Sequence, residues 1–147
     1  MHPTPVHRPV HHAGWIYEEK IDGWRMLAVK DAHRSVTLTS RSGRDHTARF
    51  PGIVEALRAL EGNLILDGEV AIYDRQLISR FEWLRHQAPP ELATPPLFMV
   101  FDAPYARNKD LCRQPLRVRR NVLEDLLDGQ DVVLPVRRLD DDGLKAW

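Results

Sequence analysis

Apolar side chains along the chain follow two periods, and the change from one to the other marks out its elements. Residues 14–19 (GWIYEE) and 25–30 (RMLAVK) are short runs rich in aromatic and aliphatic side chains, as strands are, with Gly23 in the connection between them. Ser35 to Ser40 alternates polar and apolar with period two, the pattern of a half-buried antiparallel strand, so the first part of the chain reads as a meander. From Pro51 the period becomes helical, with Ile53, Val54, Leu57 and Leu60 on one stripe and Gly62-Asn63 as the stop. Leu64-Ile65-Leu66 and Val70-Ala71-Ile72-Tyr73 read as a buried strand interrupted by Asp67-Gly68-Glu69, and Ser79 is placed to cap a short helix carrying Phe81 and Leu84. Prolines make residues 88–96 a loop that leads into Leu97-Phe98-Met99-Val100-Phe101, the longest apolar run and the expected central strand.

A second helix is expected to open at Pro115, carry Leu116, Leu123, Leu126 and Leu127 on its apolar side, and end at Gly129. Its charges oppose the helix dipole, with Arg117, Arg119 and Arg120 early and Glu124, Asp125 and Asp128 late, so compensation from outside the helix is expected. Residues 132–136 read as one more strand, and residues 141–147 as the start of a helix. The class is α+β: antiparallel sheets with packed helices.

Composition narrows this picture. A chain of 147 residues, 43% of them hydrophobic, can bury one core, which makes it a single domain or part of one. Lysine plus arginine and aspartate plus glutamate both total 21, so no global field favours nucleic acid, and any DNA site has to be a local patch. The densest basic loop carries Arg41, Arg44 and Arg49. A lone Cys112 excludes an internal disulfide framework and suits the reducing cytoplasm. The N-terminus lacks the apolar stretch of a signal peptide, and no run approaches the roughly 18 apolar residues of a membrane span, so a soluble protein is expected. His2, His7, His11 and His12 crowd that N-terminus, but Pro9 breaks the helix that would bring His7 and His11 onto one face, and a solvated arm is expected rather than a metal site.

The stretch with the most chemistry is Lys20-Ile21-Asp22-Gly23-Trp24-Arg25. A lysine ordinarily titrates near about 10.4 and has to be made neutral before it can act as a nucleophile. Desolvation and neighbouring positive charge both do this, and Arg25 supplies the second. Taken alone, the same residues are equally readable as surface charges at a turn.

K-x-D-G-x-R, here Lys20, Asp22, Gly23 and Arg25, is similar to the nucleophile motif of covalent nucleotidyltransferases: ATP-dependent DNA ligases, RNA ligases and capping enzymes. Further elements follow in the family's order. Arg41 in Ser-Arg-Ser-Gly resembles the S-R-N-G element, with Ser42 where asparagine is commoner. Asp67-Gly68-Glu69 resembles the D-G-E element, and Phe98 to Asp102 resembles F-x-x-F-D. The connecting stretches, Asp45 to Pro51, Ile78 to Phe81 and Leu116 with Arg119-Arg120, look most like bacterial ATP-dependent DNA ligases of the end-joining and repair type. The likeness runs from about Trp15 to Leu144.

The resemblance implies a partial nucleotidyltransferase domain, an ATP-grasp-like ligase adenylation fold, in which Lys20 attacks the α-phosphate of ATP, with Asp22 and Arg25 beside it. It also implies that Glu18 lines the base pocket, Phe101 stacks on adenine, and Arg25, Arg41 and Glu69 hold the nucleotide. Asp67 and Glu69 would bind Mg2+ or Mn2+. Arg41, Arg44 and Arg49 would follow the backbone of nicked double-stranded DNA, with a separate polymerase or end-binding repair protein as a possible partner. Two family elements are not found: E-G-x-V-x-K and a later lysine pair that grips the α-phosphate. No oligonucleotide-binding-fold domain is found either. Residues 1–147 are therefore expected to be an incomplete adenylation domain that adenylylates itself weakly or not at all, because charge developing on the α-phosphate would lack a main stabiliser. Two other readings stay open: a relative acting on RNA, and an inactive remnant that binds nucleotide or DNA.

Overall fold

A computed structural model describes residues 6–8, 10–86 and 94–139. Two compact units divide them at residues 20/21 and 135/136.

Residues 21–135 form the larger unit, built on a six-stranded mixed sheet among the described residues. Its elements are β1 (Trp24–Lys30), β2 (Val36–Ser40), α1 (Pro51–Ala59), β3 (Leu64–Ala71), β4 (Leu97–Ala106), β5 (Lys109–Asp110), α2 (Leu116–Leu126) and β6 (Val133–Pro135). Strand order is β2-β1-β3-β4-β5, with β6 also paired to β4. The expected meander is present as the antiparallel β1/β2 pair, and the apolar run at Leu97 is central, between β3 on one side and β5 and β6 on the other. The sheet is not wholly antiparallel, because β6 runs parallel to β4 after the return through α2.

Period-two alternation sorts the strands into two faces. Met26, Ala28, Val36, Leu38, Leu64, Leu66, Val70, Phe98 and Val100 are buried and join Ile53 and Leu57 of α1 and Leu123 and Leu126 of α2 in one core cluster. Both helices therefore cover the same face. Buried Lys30 caps α1: its ammonium donates to the carbonyl of Leu60, one of the acceptors a helix leaves unpaired at its C-terminus. Burial, and then the charge of Arg34, push the Lys30 pKa down.

Three further expectations need correcting. Asp67-Gly68-Glu69 does not interrupt a strand: β3 is continuous, because Gly68 is where β4 passes close and the two carboxylates point away from the core. A Cβ at Gly68 would sit 2.5 Å from the Met99 carbonyl oxygen and 2.8 Å from the Phe98 ring, so no other residue fits without displacing β4. Gly23 is tight for a similar reason, since a Cβ there would collide with the Val70 carbonyl oxygen and come within 2.9 Å of Glu69 Cγ. Residues 14–19 are not a strand of this sheet and contribute one isolated bridge, at Glu18. Ser79 caps no helix; the segment after it is a 3-10 turn, Phe81–Leu84, with Arg80 at its N-cap and no side-chain cap.

The compensation expected for α2 comes from β4. Arg119 makes a two-pronged ion pair with Asp102, Nε to Oδ1 at 2.7 Å and Nη2 to Oδ2 at 2.8 Å. Arg120, fully buried, donates to the Val100 carbonyl at 3.0 Å and pairs with Glu124.

The described part of the smaller unit, residues 6–8 and 10–20 with 136–139, sets Tyr17 to Glu19 against Arg137 to Leu139. Leu139 N–H donates to the Tyr17 carbonyl at 2.8 Å, and Glu18 bridges Arg138. The His12 ring lies tilted against Trp15 with centroids 4.5 Å apart, and His11 stacks on Tyr17 at 6.5 Å. Among the described residues no group of three or more side chains is placed to hold a metal ion, and no helix is long and apolar enough to cross a membrane. His2, residues 88–93 of the proline loop and the helix expected at 141–147 lie outside the described residues.

Candidate active site

On the face that the helices leave open, β1, β3 and β4 bring four of the expected residues together. Arg25 of β1 lies directly across from Glu69 of β3, and Leu27 across from Asp67. Residues opposite one another in an antiparallel pair share a face, so the register alone groups Arg25, Asp67 and Glu69. The Arg25 guanidinium then grips Asp67 with two parallel hydrogen bonds, Nε to Oδ1 at 3.0 Å and Nη2 to Oδ2 at 2.6 Å. Both groups are half-buried, so the pair is stronger than an exposed ion pair would be. The bond to Asp67 raises the Arg25 pKa further above its ordinary value; burial opposes this, and the charges of Asp67 and Glu69 add to it.

Phe101 completes the group through an irregularity in β4. Gly68 lies opposite Val100 but Asp67 lies opposite Asp102, leaving Phe101 as an extra residue. A bulge of this kind resets the alternation. Phe101 is half-exposed, with the Arg25 guanidinium carbon 5.3 Å from its ring centroid, while Ala103, two residues on, is buried in the core. A flat ring, a planar cation and a carboxylate thus share one open surface of the sheet. Such a surface can stack a base and hold polar groups of its ribose and phosphates.

Lys20 and Glu18 belong to the smaller unit, where Lys20 is exposed and Glu18 half-buried in its bridge to Arg138. Asp22, at the start of the larger unit, is exposed, and its backbone N–H donates to Ser79 Oγ at 3.0 Å. Ser79 is the site-adjacent residue that sequence reasoning missed. Its only signal was its position ahead of Phe81, which reads more naturally as a helix cap.

The three arginines of the basic loop differ in their surroundings. Arg41 and Arg44 are exposed. Arg49 is exposed too, but its guanidinium is engaged: its central carbon lies 4.7 Å from the Trp24 ring centroid and 5.9 Å from that of Phe50, and Nη2 donates to the Leu84 carbonyl. His46 meets Trp24 edge to face at 5.4 Å; partial burial lowers its pKa, with Arg44 and Arg49 adding to the effect. The loop itself is tied to β2 by Ser40 N–H to the Arg44 carbonyl (2.9 Å), His46 N–H to the Leu38 carbonyl (2.8 Å) and Leu38 N–H to Thr47 Oγ1 (3.0 Å). Residues 44–49 line a shallow concavity.

Residues 5–140 match the family model described as ATP dependent DNA ligase domain. The chain belongs to the ATP-dependent DNA ligase family. Among its ligase relatives, the multifunctional non-homologous end joining protein LigD of Pseudomonas aeruginosa is 36% identical over 119 residues, which is 80% of this chain and 14% of that protein. DNA ligase C1 of Mycolicibacterium smegmatis is 35% identical over 129 residues, 79% of this chain and 36% of that protein. The solved structure of mycobacterial DNA ligase D complexed with ATP and MES superposes with a TM-score of 0.75 at 30% identity, over 95% of this chain and 47% of that one. The chain thus spans 14% and 36% of the two ligase relatives and 47% of the solved chain, and its mixed sheet with two helices is part of their nucleotidyltransferase fold.

Proposed function

We propose that this chain is the N-terminal part of a ligase adenylation domain and binds ATP on the open sheet face, for AMP transfer to Lys20. The observation that carries the reading is the Arg25 fork on Asp67 beside the Phe101 ring, formed by residues at three family motif positions. The likeness to a ligase solved with ATP supports it. Phe101 stacks the adenine, while Arg25 and Glu69 face ribose and phosphate. Arg41 reaches the sugar or the nick, and Glu18 borders the base.

In the transfer, the neutral Lys20 amine attacks the α-phosphorus and loses its proton. A phosphorus–nitrogen bond forms, the bond to the β-phosphate oxygen breaks, and pyrophosphate leaves. AMP then passes to the 5'-phosphate of nicked DNA, and the 3'-hydroxyl displaces it to seal the strand. Mg2+ fits this site only with the help of the nucleotide. Asp67, whose two oxygens accept from Arg25, and Glu69 beside it are the carboxylates that would hold the ion together with phosphate oxygens of the nucleotide. When bound, it neutralises charge on the leaving pyrophosphate.

Arg41 and Arg44 are the residues we assign to the DNA backbone, with Arg49 tying the loop to Trp24 and Leu84. The substrate is nicked duplex DNA in end joining and other repair, in cooperation with a polymerase or end-binding protein. The reducing cytoplasm suits the exposed Cys112 thiol.

The test is a titration of the 147-residue chain with a fluorescent ATP analogue. Binding should be competed by ATP, and Phe101→Ala should weaken it about tenfold, since stacking on an aromatic ring is worth about 1–3 kcal/mol per base. ATP labelled at the α-phosphate should place little or no label on these residues alone, and any label should vanish in Lys20→Ala. No binding at millimolar nucleotide, or binding indifferent to Phe101, overturns the reading.

A further inference from the structure

We infer that Ser79 is a positioning residue for the nucleophile segment, resting on the proposal that Lys20 accepts AMP. Its hydroxyl oxygen accepts the backbone N–H of Asp22 at 3.0 Å across 57 residues of sequence, and only Ile21 separates Asp22 from Lys20. Fixing the Asp22 peptide fixes the C-terminal end of the segment that carries the lysine.

The hydroxyl is itself held in place by a tightly bonded turn. Buried Asp74 accepts the N–H groups of Gln76 (2.9 Å) and Ile78 (3.0 Å) on Oδ1, and Arg80 Nε (2.8 Å) on Oδ2. Asp74 N–H bonds the Ile78 carbonyl, Leu77 N–H the Asp74 carbonyl and Arg80 N–H the Ile72 carbonyl, while Tyr73 and Ser79 form a bridge. This network holds Leu77 at φ 60°, a left-handed conformation that a leucine avoids, with its side chain in solvent. The turn thus keeps a strained residue that no core contact rewards, and what it places is the Ser79 oxygen.

The segment grips the start of β1 a second time. Arg49, stacked on Trp24, donates to the Leu84 carbonyl at the end of the 3-10 turn that follows Ser79. Residues 79–84 therefore hold both Asp22 and Trp24, on either side of Gly23. Gly23 has no side chain of its own to fix that stretch and sits hard against the Val70 carbonyl.

The experiment compares the full chain with its Ser79→Ala and Ser79→Thr variants. Amide exchange at Asp22 should rise about tenfold or more in Ser79→Ala, with the amides of Met26 and Ala28 unchanged, and should return toward normal in Ser79→Thr. An acyl-phosphate derivative of ATP, which acylates amines near a bound nucleotide, should modify Lys20 in a manner that ATP blocks. Its maximal rate on Lys20 should fall about tenfold in Ser79→Ala at unchanged half-saturation, and recover in Ser79→Thr. Unchanged Asp22 exchange in Ser79→Ala overturns the anchoring. Raised exchange with wild-type Lys20 labelling, or a rate that threonine does not restore, overturns the positioning role. If Lys20 of the unsubstituted chain shows no ATP-blocked labelling, the nucleotide-transfer reading fails first, and the Asp22 exchange alone then decides whether Ser79 anchors the segment.

Discussion

One guanidinium, that of Arg25, joins two residues that lie far apart in sequence, Asp67 by a two-pronged ion pair and Phe101 by its ring face. Lysine has neither the planar fork nor the stacking surface needed for both. Arg25→Lys is expected to lower stability by about 1 kcal/mol and ATP affinity by about tenfold, read by urea unfolding and nucleotide titration. A wild-type affinity in that variant would remove Arg25 from the nucleotide face. The three residues were legible in the sequence because each falls in a short motif with fixed neighbours. Their grouping was not, because it depends on strand register and on the extra residue at Phe101, and neither leaves a trace in a period-two pattern. Arg49 shows the same limit from the other side: its sequence context is a basic loop, whereas its guanidinium lies on Trp24.

Among the elements, β3 is the strand where sequence pattern and structure disagreed most. Asp67-Gly68-Glu69 looks like a break because charge and glycine both argue against a central strand. The open face accepts the charge, and the close passage of β4 requires the glycine. Gly68→Ala should therefore destabilise the chain by about 3 kcal/mol, seen as a lowered Tm. Gly52, in the first turn of α1 with no atom within 4 Å of a would-be Cβ, gives the contrast: Gly52→Ala should leave stability unchanged or raise it by about 0.5 kcal/mol. For α2, the sequence announced that its arginines needed partners without saying which. Asp102 answers for Arg119, both largely buried, and Asp102→Ala is expected to cost about 2 kcal/mol in urea unfolding. The elements expected at Pro51, Leu97 and Pro115 are found, as are the β1/β2 meander and the strand at residues 132–136, but Leu116, expected on the apolar side of α2, is exposed.

At the scale of the molecule, a formal net charge of zero supplies no global attraction for DNA, so the proposed contact rests on a local patch. With Arg41 and Arg44 as the phosphate contacts, the logarithm of affinity for a nicked duplex should fall against the logarithm of salt with a slope of about −2, and by about one less in Arg41→Ala or Arg44→Ala. A slope indifferent to both substitutions would place DNA elsewhere. Acid should also unfold the chain in a defined window. Asp45 is held below its ordinary 3.8 by the Thr47 hydroxyl, Asp74 by the Ile78 amide and Asp110 by the Cys112 amide. Each folded value lies below the unfolded one, so this stability is present above pH 3.8 and is lost as pH falls from there through the folded values. Urea midpoints measured at pH 5 and pH 3 should differ, and differ less in Asp74→Asn.

β2 ends the sheet, and the backbone of the arginine loop lies along it through the bonds to Leu38 and Ser40. An outermost strand with unpaired amides and carbonyls is a template on which a second chain can add itself and start an aggregate. The loop assigned to DNA is therefore also the guard on that border. Excising it to abolish DNA binding would uncover Val36 to Ser40 and yield insoluble protein, whereas single substitutions at Arg41 or Arg44 remove the charge and keep the border closed.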